Sequence, residues 1–144
     1  MTPADEDAVA RTLWAEARGE GFEGMKAVAH VIINRWKRRH RKESTLCGVA
    51  TEPWQFSAWN PGDVNRDLLD KVDLHNQWFR AAKAAFLLAY NENMVEGEDL
   101  TNGADHYRTI SQPDWATIWP PKFAQGQTPC ATVGEHVFYK LLRD

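Results

Sequence analysis

The sequence predicts a mainly α domain of the α+β kind, on three observations. Two segments before residue 40 carry apolar side chains at helical spacing, and a third does so between residues 74 and 91. The stretches between and after them are crowded with Pro, Gly and large rings, which punctuate regular structure. With 144 residues and a 43% apolar fraction, the chain fits one domain, 1–144, around a single core.

The first helix begins at Thr2-Pro3-Ala4-Asp5. Thr supplies a capping hydroxyl, Pro needs no partner for an N–H in the first turn, and an acid stands three residues after the cap. The helix runs to about residue 18 with Val9, Leu13, Trp14 and Ala17 on one side, and Gly19 and Gly21 break it. The second helix is expected over residues 22–36, its stripe built from Met25, Val28, Ala29, Ile32, Ile33 and Trp36. Residues 44–63 hold Pro53, Trp54, Phe56, Trp59, Pro61 and Gly62 and read as loop. A third helix is expected over residues 74–91, turning Trp78, Ala82, Ala85, Phe86 and Ala89 inward. Beyond Gly97 the chain is irregular, with short strands expected around residues 105–109 and 135–139. Of the seven Trp, Trp14, Trp36 and Trp78 fall on helical stripes and are assigned to the core; Trp54, Trp59, Trp115 and Trp119 fall in irregular segments, where a cleft would use them.

Composition excludes several classes. A net charge of −3 from 17 basic and 20 acidic residues gives no overall bias toward nucleic acid or an anionic membrane. The one basic run, Arg35-Trp36-Lys37-Arg38-Arg39-His40-Arg41-Lys42, suits a solvated helix C-terminus, with contact to an anionic polymer as the alternative. No apolar run is long enough to span a bilayer. Cys47 and Cys130 have no metal-ligand spacing and are expected to be unpaired thiols. His30, His40, His75, His106 and His136 are scattered without a short metal pair, so no metal or cofactor is expected and a zinc amidase is disfavoured. No Gly-x-Ser-x-Gly elbow is present.

The residue that points to chemistry is Glu16, an acid inside the apolar pattern of the first helix just before its glycine break. A carboxyl walled off from water has its protonated form favoured, the form a general acid needs. A salt bridge to Arg18 or a later basic residue is the bland alternative. Glu20 would follow one turn later, but the break at Gly19 prevents helical spacing from placing it, or Glu23, beside Glu16.

The segment Ala15-Glu16-Ala17-Arg18-Gly19-Glu20, followed by Glu23-Gly24-Met25-Lys26-Ala27-Val28-Ala29-His30-Val31-Ile32-Ile33-Asn34-Arg35, resembles the opening of the spore cortex-lytic and cell-wall hydrolase family. Gln55-Phe56-Ser57, Thr101-Asn102-Gly103-Ala104-Asp105-His106-Tyr107, Pro113-Asp114-Trp115-Ala116 and Val133-Gly134-Glu135-His136-Val137-Phe138-Tyr139 follow in family order. The resemblance implies a lysozyme-like domain that cuts the glycan strands of peptidoglycan, commonly as a lytic transglycosylase, with Glu16 as general acid and then base. Glu20, the second acid of the motif, is given a supporting or structural role. Gln55, Ser57 and Trp59 are expected on the substrate side, and Tyr107 and Tyr139 are expected to orient the acid or bind an acetamido group, or else to be core aromatics. Hydrolysis by the same Glu16, as in a muramidase, and peptidoglycan binding without catalysis remain alternatives. Residues 1–7 lack the basic and apolar parts of a secretory signal. The expectation is thus a monomeric phage endolysin, kept in the host cytoplasm until a separate holin opens its way to the periplasm or wall.

Overall fold

The computed structural model describes residues 1–38, 44–52 and 55–143. The first helix, α1 (Pro3–Ala17), starts as expected. Thr2 Oγ1 accepts from the Asp5 amide at 3.2 Å, and the Asp5 carboxylate accepts from the Thr2 amide at 2.9 Å. The other Asp5 oxygen accepts from the Cys47 amide at 2.9 Å, which joins this cap to a short helix absent from the sequence expectation, α3 (Leu46–Thr51). That helix has its own cap, Thr45, hidden from pattern reading because six residues are too few to show a period.

A 3-10 turn (Arg18–Glu20) carries α1 directly into α2 (Gly21–Lys37). Its expected stripe is buried, with Trp36 half-buried at the end, but α2 is enclosed on a second face as well. Ala27 and Val31 lie there against Ala104 and Phe138. The third long helix, α5 (Gln77–Asn91), starts three residues later than expected, because Asn76 caps it by accepting from the Trp78 and Phe79 amides. This corrects one core assignment: Trp78 is 43% exposed, and Phe79 takes the buried position. A second short helix, α4 (Arg66–Lys71), follows the aromatic loop region and buries Leu69. Arg11 of α1 reaches over to the Leu69 and Val72 carbonyls.

Three strands follow: β1 (His106–Thr109), β2 (Ala131–Val133) and β3 (His136–Tyr139). The first and last were expected; β2 is three residues long and carries no alternation to read. The sheet order is β1-β3-β2, all antiparallel, so β1 is an edge strand. Tyr107 stands opposite Phe138 on the face toward α2, and Arg108 stands opposite Val137 on the face toward Phe123 and Ala124. Cys47 and Cys130 are not joined to each other.

Two buried polar clusters fix the loops onto α2. His30, fully buried, contacts the Glu92 carboxylate through Nε2 at 3.1 Å and receives the Asn93 amide on Nδ1 at 3.1 Å. Asn34 donates to the Asp99 carboxylate and to the Ala104 carbonyl, both at 2.8 Å. In the second cluster, the buried Asp105 carboxylate accepts from the Leu141 and Leu142 amides, His106 Nδ1 and Arg38 Nη1, at 2.8–3.2 Å. The basic run is thus partly internal: Arg38 belongs to this cluster, whereas Arg39, His40, Arg41 and Lys42 lie outside the described residues.

Burial by itself would raise the Asp105 carboxyl, but the bonds from His106, Leu141 and Leu142 outweigh it and hold the group below the usual carboxylate range. Asp5 and Asp99 are depressed in the same way. A depressed native pKa contributes stability above the unfolded-state value, and that stability is lost as pH falls through the native one. Acid unfolding is therefore expected to set in below about pH 4. Asp105→Asn should cost about 3 kcal/mol or more in urea unfolding at pH 7, and its stability should fall less steeply with acid than that of the parent. An equal pH slope for both proteins would remove Asp105 from this account.

Candidate active site

Glu16 sits in the last turn of α1, where the helix stops and the chain leaves through the 3-10 turn. Its side chain meets a second 3-10 turn (Ser57–Trp59), whose Ser57 and Ala58 backbone amides favour the charged carboxylate. Burial is the larger effect, and the negative charge of Asp63 adds to it, so the Glu16 carboxyl is raised above its ordinary value. Its Oε1 is buried and has no hydrogen-bond partner among the described residues. Relative to a free glutamate, this environment favours the protonated carboxyl.

Glu16 opens on a cavity of about 640 Å³, within the roughly 300–1,000 Å³ typical of small-ligand sites. Gln55 and Ser57 form one side beside it. The edge strand β1 forms another, presenting His106, Tyr107, Arg108 and Thr109. The loop after β1 completes the cavity with Pro113, Trp115, Trp119, Pro121 and Phe123. Trp115, one of the wall residues, is 81% exposed, so it leaves a flat apolar ring open to solvent.

Tyr107 packs between His136 and Phe138, with ring centres 5.0 and 5.8 Å away. Burial first, and then the charge of Glu16, push its hydroxyl well above the usual phenol value, against a smaller opposing effect of Arg35. Tyr107 is therefore a neutral hydroxyl within electrostatic reach of Glu16. Arg35, from α2, is buried; its Nε donates to the Asp105 carbonyl at 2.6 Å and its guanidinium lies over the Phe56 ring.

Of the residues expected at the site, the structure brings Glu16, Gln55, Ser57 and Tyr107 to one cavity, and leaves Glu20, Trp59 and Tyr139 off its wall. Trp59 turns inward, its Nε1 donating to Thr12 Oγ1 at 2.8 Å and its outer face covered by Arg66. Tyr139 is buried behind β1, and its hydroxyl accepts from Arg108 Nε at 2.9 Å. Glu20 is not among the wall residues and accepts from the Glu135 amide at 3.1 Å. Glu23 is exposed beside Lys26. The loop tryptophans Trp115 and Trp119 do line the cavity, and Trp54 lies outside the described residues. Sequence reading missed Arg35, His106 and Arg108 as wall residues. Arg35 was concealed within a run of basic residues, and the other two within a four-residue strand.

The sequence profile of the cell wall hydrolase family matches residues 19–139. That match begins three residues after Glu16, so the case for Glu16 rests on its geometry. The spore cortex-lytic enzyme of Oceanobacillus iheyensis is 34% identical over 140 residues, a region taking in 94% of this chain and 41% of that protein. The Bacillus subtilis spore cortex-lytic enzyme is 32% identical over 133 residues, 90% of this chain and 35% of that one. The chain thus spans about two-fifths or less of these curated relatives. Among solved structures, the catalytic domain of the germination-specific lytic transglycosylase SleB from Bacillus anthracis superposes with a TM-score of 0.68 at 30% identity, covering 97% of both chains. The catalytic domain of Bacillus cereus SleB gives 0.69 at 30% identity, covering 97% of this chain and 92% of that one. These likenesses agree with the expected lysozyme-like α+β fold.

A raised native carboxyl contributes stability below its unfolded pKa and loses it as pH rises through the native value. Glu16→Gln keeps the shape and removes the ionisation. The variant is expected to melt higher than the parent at pH 8, with the gap closing toward pH 4. A gap that is constant with pH in paired thermal melts would mean that Glu16 is not held as the acid.

Proposed function

The chain belongs to the cell wall hydrolase family, and we propose that it cleaves the β-1,4 bond between N-acetylmuramic acid and N-acetylglucosamine in peptidoglycan as a lytic transglycosylase. The observation that carries this reading is Glu16: a carboxyl with a raised pKa and an unpartnered oxygen, on a cavity with no second carboxylate among the described wall residues.

A glycosidic bond breaks when a proton reaches the leaving oxygen and the positive charge at C1 is stabilised. Hydrolases ordinarily divide these tasks between two carboxylates. With one, the balanced alternative runs within the sugar. Glu16 gives its proton to the glycosidic oxygen and the C1–O bond breaks. The C6 hydroxyl of the muramic acid then closes on C1 while its proton returns to Glu16. A 1,6-anhydro end forms and no water is consumed. Tyr107, neutral and near Glu16, is suited to orient the carboxyl or an acetamido group. Gln55 and Ser57 offer polar groups to the sugar, and the open Trp115 ring offers a face on which a hexose can stack.

The endolysin role belongs to the same proposal: a monomer waiting in the host cytoplasm and reaching the wall through a holin pore. Induced expression in a susceptible bacterium should leave cells intact until a holin is co-expressed, and prompt lysis without one would overturn this route.

Digestion of purified sacculi followed by mass analysis tests the chemistry. Fragments ending one water lighter, in 1,6-anhydromuramic acid, are expected, and Glu16→Gln should lower their release by about two orders of magnitude or more with the fold retained. Ordinary reducing muramic ends would instead make the enzyme a muramidase and direct attention to Asp63, the carboxylate whose charge is felt at Glu16. Binding of sacculi without any cleavage would leave only a glycan-binding role.

A further inference from the structure

Arg108 lines the same cavity as Glu16 but stands on the other face of the sheet from Tyr107. It is tightly held. Nε donates to the Tyr139 hydroxyl at 2.9 Å, Nη1 donates to the Thr109 carbonyl at 3.1 Å, and the guanidinium carbon is 5.9 Å from the Tyr139 ring centre. Both acceptors are neutral, and the tyrosine that supplies one of them is itself buried.

The guanidinium charge is therefore positioned without being neutralised. Arg11, Arg38 and Arg66 each reach a carboxylate, from Asp7, Asp105 and Asp70 respectively. Arg108 pairs with none among the described residues, and its Nη2 has no acceptor there. A half-buried cation in a cavity, with its planar fork partly unused, matches a carboxylate more closely than any other common group. Holding it costs side-chain entropy, and the neutral bonds do not draw on its charge.

We propose that Arg108 is a specificity-determining residue that binds a carboxylate on the side arm of muramic acid and so selects which sugar lies across Glu16. N-acetylglucosamine carries no such group, whereas the lactyl arm of muramic acid brings one in either of two forms. Its own carboxylate is free on strands without stem peptides. On substituted strands that carboxyl is consumed in an amide, and the peptide supplies carboxylates of its own. Because Arg108 and Tyr107 lie on opposite faces of the edge strand, the anionic arm would lie across that edge from the proton-transfer centre. This inference rests on the glycan-cleaving reading above.

The test compares the parent, Arg108→Gln, Arg108→Lys and Tyr139→Phe on three wall preparations: intact sacculi, sacculi stripped of stem peptides by an amidase, and sacculi whose carboxyls have been capped as amides. Arg108→Gln should lower kcat/KM by about tenfold or more, chiefly through KM, wherever the recognised carboxylate is present, the scale of one lost charge-assisted hydrogen bond. On capped walls it should equal the parent. A defect on intact walls alone identifies the stem peptide, and one on stripped walls alone identifies the lactyl group. A defect on both means that either carboxylate is accepted. Arg108→Lys, which keeps the charge, should recover part of the loss.

Thermal melts of Tyr139→Phe, which deletes the hydroxyl partner and keeps the cation, give the share due to folding. If Arg108→Gln does not fold, the lysine variant carries the comparison and should fall short of the parent on charged walls only. An equal defect on capped and charged walls, or no defect on any, overturns the proposal. Failure of the parent on every wall would instead overturn the glycan-cleaving reading, a distinguishable result.

Discussion

Asp105 brings together three parts of the chain that are distant in sequence. Its Oδ1 accepts from the Leu141 amide and His106 Nδ1, its Oδ2 from the Leu142 amide and Arg38 Nη1, and its carbonyl from Arg35 Nε. The end of α2, the start of β1 and the segment after β3 are thus joined through one residue. Moving the sheet along α2 would strand a buried charge, which costs several kcal/mol. That constraint locates the cleft. Tyr107 is two residues further along β1, and the same lock holds Arg35 beneath the cavity. The helical half carries the acid, the sheet half carries the residues that face it, and Asp105 sets their spacing.

Asp105 and Glu16 illustrate how one physical cost leads to opposite outcomes. Burial is the largest influence on both, and it raises both carboxyls. Asp105 meets enough donors to remain charged, which suits a residue that must hold others in place. Glu16 has the Ser57 and Ala58 amides but finds no hydrogen-bond partner for Oε1 among the described residues and feels the charge of Asp63, so its carboxyl is raised above the ordinary value. Environments that push two carboxyls apart in this manner separate structural from chemical duty. The separation comes from where the donors are, since the side chains share one functional group.

The long helices were legible because an amphipathic stripe and a capping box are local signals, and Thr2, Asp5, Val9 and Leu13 all lie within three turns. Trp78 was misjudged because it and Phe79 are adjacent, and only the Asn76 cap fixes which of the two faces inward. The short helices α3 and α4 and strand β2 lie below the length at which periodicity speaks. The acid Glu16 and the loop residues Gln55 and Ser57 were identifiable from family motifs, yet their convergence with β1 depends on contacts some 40 to 90 positions apart in the chain. Arg108 carried no signal in sequence, since its meaning lies in the neutrality of its partners. Tyr139 and Trp59 show the converse: polar aromatics whose hydrogen-bonding ends are taken by other protein groups, Arg108 and Thr12.

The two acids of the opening motif part at the helix break. On one uninterrupted helix, Glu16 and Glu20 would share a face. Because α1 ends at Ala17 and α2 begins at Gly21, with φ +75° at that glycine, Glu20 does not share the cavity wall with Glu16 and meets the turn between β2 and β3. The fit there is close. A Cβ at Gly134 would come within 2.6 Å of Glu20 Oε2, and one at Gly24 within 2.3 Å of Glu20 Cβ, so both neighbours must be glycine for the carboxylate to reach the Glu135 amide. Gly134 also has φ +55°, which favours glycine independently. The contact secures the hairpin whose strand β3 supplies Phe138 beneath Tyr107 and Tyr139 beneath Arg108. Glu20 therefore bears on both sides of the cleft from outside it. A short motif can thus hold one acid for the cavity and one for the sheet that faces it, provided the helix between them is broken.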